Sequence, residues 1–265
     1  MAGLSKGFIK KRLFIAVFSL FICFQLTIFV LMHFTDILPS RAEFFACAAA
    51  FVFAVAFVLL RLWSGDFDKR SLFVAGGLFL AAVSDVFLVV LFQTLNHNEL
   101  YLCFGVSFFV LAQLCYAAFI HGGFMFKHTR LFKADLIIRG SLTAFMLVLT
   151  AIINGLVLKQ NMYLMLISIV YASQLCTNIV FAAIKISLSL KSKRNPPSRT
   201  NSEFSRMLLF LSGLVLLLLC DIFLCCGFFG AKFPINFEWL FYLPSMTVLT
   251  CACTLGIRYK GSGIR

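Results

Sequence analysis

Apolar runs of about 20 residues follow one another along this chain, separated by short polar loops, and that rhythm decides what it can fold into. A helix needs roughly 20 mostly apolar residues to cross the hydrocarbon layer. The segments that fit run Leu13–Met32, Phe44–Leu60, Leu72–Phe92, Leu100–Ile120, Leu136–Leu158, Met162–Ile184, Met207–Phe229 and Phe237–Ile257. In lipid the backbone must satisfy its own hydrogen bonds, which excludes open strands. A membrane barrel would alternate apolar with polar residues, whereas these segments are apolar all round. With only 12% charged residues against about 25% in a soluble domain, the chain cannot cover a water-facing surface. The expected fold class is all-α: a polytopic membrane bundle of eight transmembrane helices forming one integral membrane domain over 1–265. Lys10, Lys11 and Arg12 precede the first run, as in a signal peptide. That run is longer than an h-region and has no small-residue cleavage site before Asp36, so it reads as a retained helix.

The basic residues give the orientation. They cluster in the N-terminal tail, in the loops after the second, fourth and sixth segments, and in the C-terminal tail. The opposite loops hold only Arg41, Lys159 and Lys232 of the 23 Lys and Arg. By the positive-inside rule the chain is a multi-pass protein with both N- and C-termini cytoplasmic, which needs an even number of spans. This asymmetry accounts for the net charge of +13 without a nucleic-acid partner. The loop "KSKRNPPSRTNSEFSR" reads as a linker and topology signal, or as a site for anionic headgroups. The ten cysteines lie in or beside apolar segments and show no zinc-site spacing, and the histidines fall at loops and helix ends, so no metal site is expected.

An internal repeat organises the chain. "GLFLAAVSDVFLVV" from Gly77 matches "GLVLLLLCDIFLCC" from Gly213 at a constant offset of 136 residues. The halves, about 1–135 and 136–265, would each hold four helices. The third and seventh segments run the same way, so the half-repeats are parallel. Asp85 and Asp221 correspond, both roughly 10–12 Å below the outer boundary. They read as the only acidic residues away from the ends of a span, and every Lys and Arg lies at a span's end or in a loop, so none can neutralise them.

An acidic residue at a helix centre costs ~2.5–3.5 kcal/mol on insertion scales. Interhelical hydrogen bonding returns about 0.6–2 kcal/mol. Function is therefore the expected reason for two such residues. If they share a cavity, they titrate as a coupled pair, one protonated and one ionised, which makes an acid/base couple. Other polar residues are placed to line that cavity. Tyr171, Gln174 and Asn178 fall on one face of the sixth segment, and Gln113 and Tyr116 on one face of the fourth. Tyr242, Pro244 and Ser245 lie in the eighth, where the proline can free backbone groups. The alternative for each is ordinary interhelical hydrogen bonding.

These motifs together resemble the YhhN family, which includes the lysoplasmalogenases. Asp85 in "SDVFL" and Asp221 in "CDIFL" match the family's Asp element in each half. "FGVSFFVLAQLCYAAF" is similar to its Gly-to-Tyr helix, with Gly105 and Tyr116 in place and Gln113 where many members have His. "IVYASQ" carries Tyr171, and "EWLFYLPSM" resembles the closing element, keeping Tyr242 but ending Leu-Pro-Ser. The resemblance implies hydrolysis of the vinyl ether of a lysoplasmalogen to a fatty aldehyde and a glycerophosphoalcohol. Asp85 and Asp221 would then be catalytic. Gln113, Tyr116, Tyr171, Gln174, Asn178, Tyr242 and Ser245 would line the substrate site. No metal or organic cofactor is implied, and the partners are an amphiphilic lipid such as a lysophospholipid and the bilayer itself. A lipid-binding or proton-coupled transport protein on the same scaffold is the alternative reading.

Overall fold

The structure, a computed structural model, describes residues 69–95, 98–122, 130–153, 162–192, 199–228 and 237–254, with scattered positions between 16 and 56. The first two apolar segments thus lie almost wholly outside the described residues. Among those residues the fold is all-helical. Helix α1 is Lys69–Asp85, continued by a π-helical stretch, Val86–Leu91, and a short turn, Phe92–Thr94. Then follow α2 (Glu99–His121), α3 (Arg130–Ile153), α4 (Met162–Ser192), α5 (Arg199–Phe228) and α6 (Phe237–Thr254). Stretches within α1 with its continuation, α2, α4 and α5 are long and apolar enough to cross a membrane, and Trp239–Ala252 is a shorter apolar helix.

Several helices overrun their apolar segments. Helix α3 begins at Arg130 rather than Leu136, and α4 continues to Ser192. Hydropathy detects only the part that suits hydrocarbon, while Lys and Arg are good helix formers that carry the rod onward. The ends of α2 are set locally. Asn98 Oδ1 accepts from Leu100 N at 2.9 Å, and Gly122 closes the helix at φ 88, a left-handed cap that suits glycine.

Helix α1 packs antiparallel on α2, and α5 on α6. Ser84 Oγ donates to Gly105 O at 2.6 Å in the first pair, and Ser245 Oγ to Gly213 O at 2.8 Å in the second. Helices α2 and α4 advance together, Phe109 meeting Tyr171 and Gln113 meeting Asn178. Three features recur at the offset of 136. Gly77 faces the Tyr116 ring on α2, and Gly213 faces Leu249 on α6. Arg70 reaches Gly122 at the end of α2, and Arg206 Nε donates to Ala252 O near the end of α6 at 3.0 Å. Both arginines sit where a cation favours a helix C-terminus. Asp85 and Asp221 complete the correspondence.

Glycine at position 77 is a packing requirement, since a Cβ there would overlap the Tyr116 ring. Gly77→Leu is expected to part α1 from α2 and cost about 1–3 kcal/mol or more. Thermal unfolding in detergent measures it, and unchanged stability would show that the close approach is not needed.

The core holds Val74, Leu78, Phe119, Leu175, Phe210, Leu214 and Leu249. Leu136, Ile137, Phe145, Val148 and Ile152 of α3 are exposed, as are Leu111, Leu188 and Leu224. Large apolar side chains turned outward on helices of this length are what acyl chains cover. The chain is an integral membrane protein.

Candidate functional site

Each intramembrane aspartate has its own tyrosine. Tyr242 of α6 donates to Asp85 Oδ2, and Tyr171 of α4 donates to Asp221 Oδ2 at 2.8 Å. Asp85 is buried and Asp221 half-buried. Among the described residues no hydrogen bond joins the two carboxyls. The two carboxyls stand in two Asp–Tyr pairs, each bridging helices remote in sequence.

Asp85 stands at a change in the local backbone. The helix changes to π geometry directly after it, over Val86–Leu91. A π turn shifts the following side chains round the axis, and such turns concentrate at functional sites. Ser84 is tied to the Gly105 carbonyl, which fixes this point of α1 against α2. Trp239 stacks edge-on to Tyr242 with ring centroids 5.7 Å apart, holding the phenol that meets Asp85. On the other side, Phe109 lies 5.5 Å from the Tyr171 ring. Tyr242→Phe removes the donor while keeping the ring. It is expected to cost about 1–3 kcal/mol by leaving a buried acceptor unmatched. A melting temperature equal to that of the unaltered protein would show the bond to be dispensable.

The other expected site residues divide. Tyr116 is buried between Gly77 and Phe210, 5.7 Å from the latter's ring, in the α1–α2–α5 junction. Ser245 serves packing, through its bond to the α5 backbone. Gln174 and Asn178 do not join Tyr171 in facing Asp221. A helix advances about 100° per residue, so i, i+3 and i+7 define a broad face with room for two neighbours. Tyr171 turns to α5, while Gln174 and Asn178 turn to α3.

What they meet there is a second polar cluster. Arg139 Nη1 donates to Gln174 Oε1 at 2.5 Å, and its Nη2 donates to Asn178 Oδ1 at 3.0 Å. The same Nη2 pairs with Asp135 Oδ1 at 3.1 Å and Oδ2 at 3.2 Å. His121 Nε2 lies 2.8 Å from Asp135 Oδ2. Asn178 Nδ2 in turn donates to Gln113 Oε1 and to the Gln113 backbone carbonyl, both at 2.9 Å. Asp135 and Arg139 are 3% and 8% exposed, so a buried ion pair sits inside α3. Asp135 and Arg139 thus add a buried acid and a buried base that the apolar segments did not single out. Asp135 falls one residue before the fifth apolar segment, which hid it. The i,i+4 spacing of Asp135 and Arg139 was the available signal. Neither Asp85 nor Asp221 is ion-paired among the described residues.

Arg206 is also buried, its Nη2 donating to Ser71 Oγ at 2.8 Å and its guanidinium lying 4.8 Å over the Phe119 ring. Lys185 donates to the Ile120 carbonyl. These bonds tie together the N-terminal ends of α1 and α5 and the C-terminal ends of α2 and α6, with α4 joining through Lys185. One end of the bundle is thus stitched by cations on helix carbonyls.

The YhhN family model matches residues 42–241, most of the chain and both aspartates. The chain belongs to the YhhN family. A comparison with curated proteins and another with solved structures each returned no match.

Proposed function

We propose that this YhhN-family protein is a lysoplasmalogenase-type hydrolase of the membrane. The observation that carries the reading is the pair of carboxyls in apolar helices, each held by a tyrosine from a distant helix. Family membership supports it.

A vinyl ether is cleaved by protonation at carbon rather than at oxygen. A carboxyl delivers its proton to the second carbon of the alkenyl chain, and the double-bond electrons form the new C–H bond. The first carbon and its oxygen then share an oxocarbenium charge. Water adds to that carbon and loses a proton to the second carboxylate. The resulting hemiacetal collapses to a fatty aldehyde and a glycerophosphoalcohol that keeps its own oxygen. A buried carboxyl is suited to the first step because desolvation disfavours its charged form. A carboxylate is suited to the second because it faces developing positive charge at low dielectric. Asp85 and Asp221 supply these groups. Tyr242 and Tyr171 orient them and match their oxygens through changes of protonation. No cofactor is required by this chemistry.

The arrangement that accompanies this proposal has eight spans, two parallel half-repeats at about 1–135 and 136–265, and cytoplasmic termini. The recurrence of Arg70/Arg206, Gly77/Gly213 and Asp85/Asp221 at one offset supports the repeat. The concentration of basic residues in alternate loops supports the orientation. An amphiphilic substrate enters sideways from lipid. The test is incubation of the purified protein with 1-alkenyl-lysophosphoethanolamine beside its saturated 1-alkyl counterpart. Aldehyde is expected from the first alone; no aldehyde from either, at any pH, removes the proposal.

A further inference from the structure

Gln113 is fully buried, and among the described residues its Nε2 has no acceptor. Chemistry fixes which end of the amide is left over. A guanidinium can only donate. The Asn178 atom facing Arg139 Nη2 at 3.0 Å must therefore be its oxygen, and its NH2 must face Gln113. That NH2 lies 2.9 Å from Gln113 Oε1. Turning Gln113 over would set one NH2 against another. The unmatched atom is thus a donor, whatever amide assignment one starts from. Three side chains on two other helices hold it: Asp135 anchors Arg139, Arg139 anchors Asn178, and Asn178 anchors Gln113.

The surroundings limit what it can meet. Arg139 is the charged group nearest along this chain of bonds, and Asp135 already balances it. An anionic oxygen at Nε2 would be buried without a countercharge, which is costly. A neutral acceptor is not. Phe109, Gln113 and Tyr116 share a face of α2, and Phe109 packs on the tyrosine that donates to Asp221. Gln113 stands one turn further, about 6 Å along the axis.

We infer that the Gln113 amide binds the free glycerol hydroxyl of the lipid, next to the ether that is cleaved. The identity of that hydroxyl rests on the hydrolase reading above. A lysoplasmalogen offers two neutral oxygens near the reacting carbon. The ether oxygen is the poorer acceptor, because its lone pair is delocalised into the double bond. A hydrogen bond there would also oppose protonation at carbon. The hydroxyl has neither fault, and it is the group that distinguishes a lysolipid from its 2-acylated parent.

The experiment measures binding of two uncleavable lipids to the full-length protein: 1-alkyl-2-hydroxy- and 1-alkyl-2-deoxy-glycerophosphoethanolamine. Loss of the hydroxyl should weaken binding to the unaltered protein about tenfold, the size of one hydrogen bond. In Gln113→Met and in Gln113→Leu, neither of which offers a polar atom to the hydroxyl, the two lipids should bind alike. The inference is overturned if the unaltered protein does not discriminate, or if folded variants discriminate as well as it does. The first of these outcomes needs no variant to fold. Discrimination without cleavage of the alkenyl lipid would remove the hydrolase and keep the amide contact. Cleavage without discrimination would do the reverse.

Discussion

Asp85→Asn and Asp221→Asn are each expected to lower aldehyde release by about 10²–10⁴-fold, the usual worth of a positioned acid or base. Asn keeps the shape and can still meet the tyrosine hydroxyl, so the two variants should fold. It cannot deliver the proton or stabilise the cation as a carboxylate does. The two losses should not add, because the carboxyls serve successive parts of one reaction. Tyr171→Phe and Tyr242→Phe should cost less, since they leave the carboxyls in place. Full activity in both asparagine variants would assign the chemistry elsewhere and make the aspartates packing residues. The assay is the rate of aldehyde formation, read beside thermal unfolding of each variant.

Arg139→Met is expected to destabilise the protein by about 3–5 kcal/mol, the cost of leaving one member of a buried ion pair alone. Asp135 would lose its guanidinium, and the Gln174 and Asn178 oxygens would lose their donor. Asp135→Leu should be of similar size, with Arg139 then unbalanced. The double variant Asp135→Leu/Arg139→Met should recover much of the loss, because neither charge remains. Thermal unfolding of the four proteins in one detergent completes the cycle. Losses that simply add would mean that the pair is not coupled. The cluster joins α2, α3 and α4, so its failure should also disturb Gln113.

Much of this was legible from the residues. Apolar runs mark helices in a membrane because the bilayer leaves no other way to satisfy the backbone, and α1, α2, α4, α5 and α6 lie where those runs fall. Asp85 and Asp221 stood out because charge inside such a run is expensive. Their tyrosines were named from sequence, but the pairing was not. Nothing in spacing says that Tyr242 meets Asp85 from 157 positions away. The Asp135–Arg139 pair was missed for a different reason. Hydropathy places a helix boundary at the first charge, and here the helix begins before that point, at Arg130, and Asp135 is already buried. His121 was likewise read as a helix-end residue, although it meets Asp135. A polar side chain's partner is a tertiary fact, and periodicity reports only the face it occupies. Gln113 illustrates both limits. Its position on the face with Tyr116 was readable, whereas the orientation of its amide follows only from the bonds of Asn178 and Arg139.

The central claim is that a carboxyl in the membrane delivers a proton to carbon, and hydrolysis of 1-alkenyl-lysophosphoethanolamine in deuterated water tests it most directly. Rapid trapping of the aldehyde should show one deuterium on its second carbon, with turnover slower than in ordinary water. Aldehyde free of deuterium, or turnover indifferent to the solvent isotope, would contradict it.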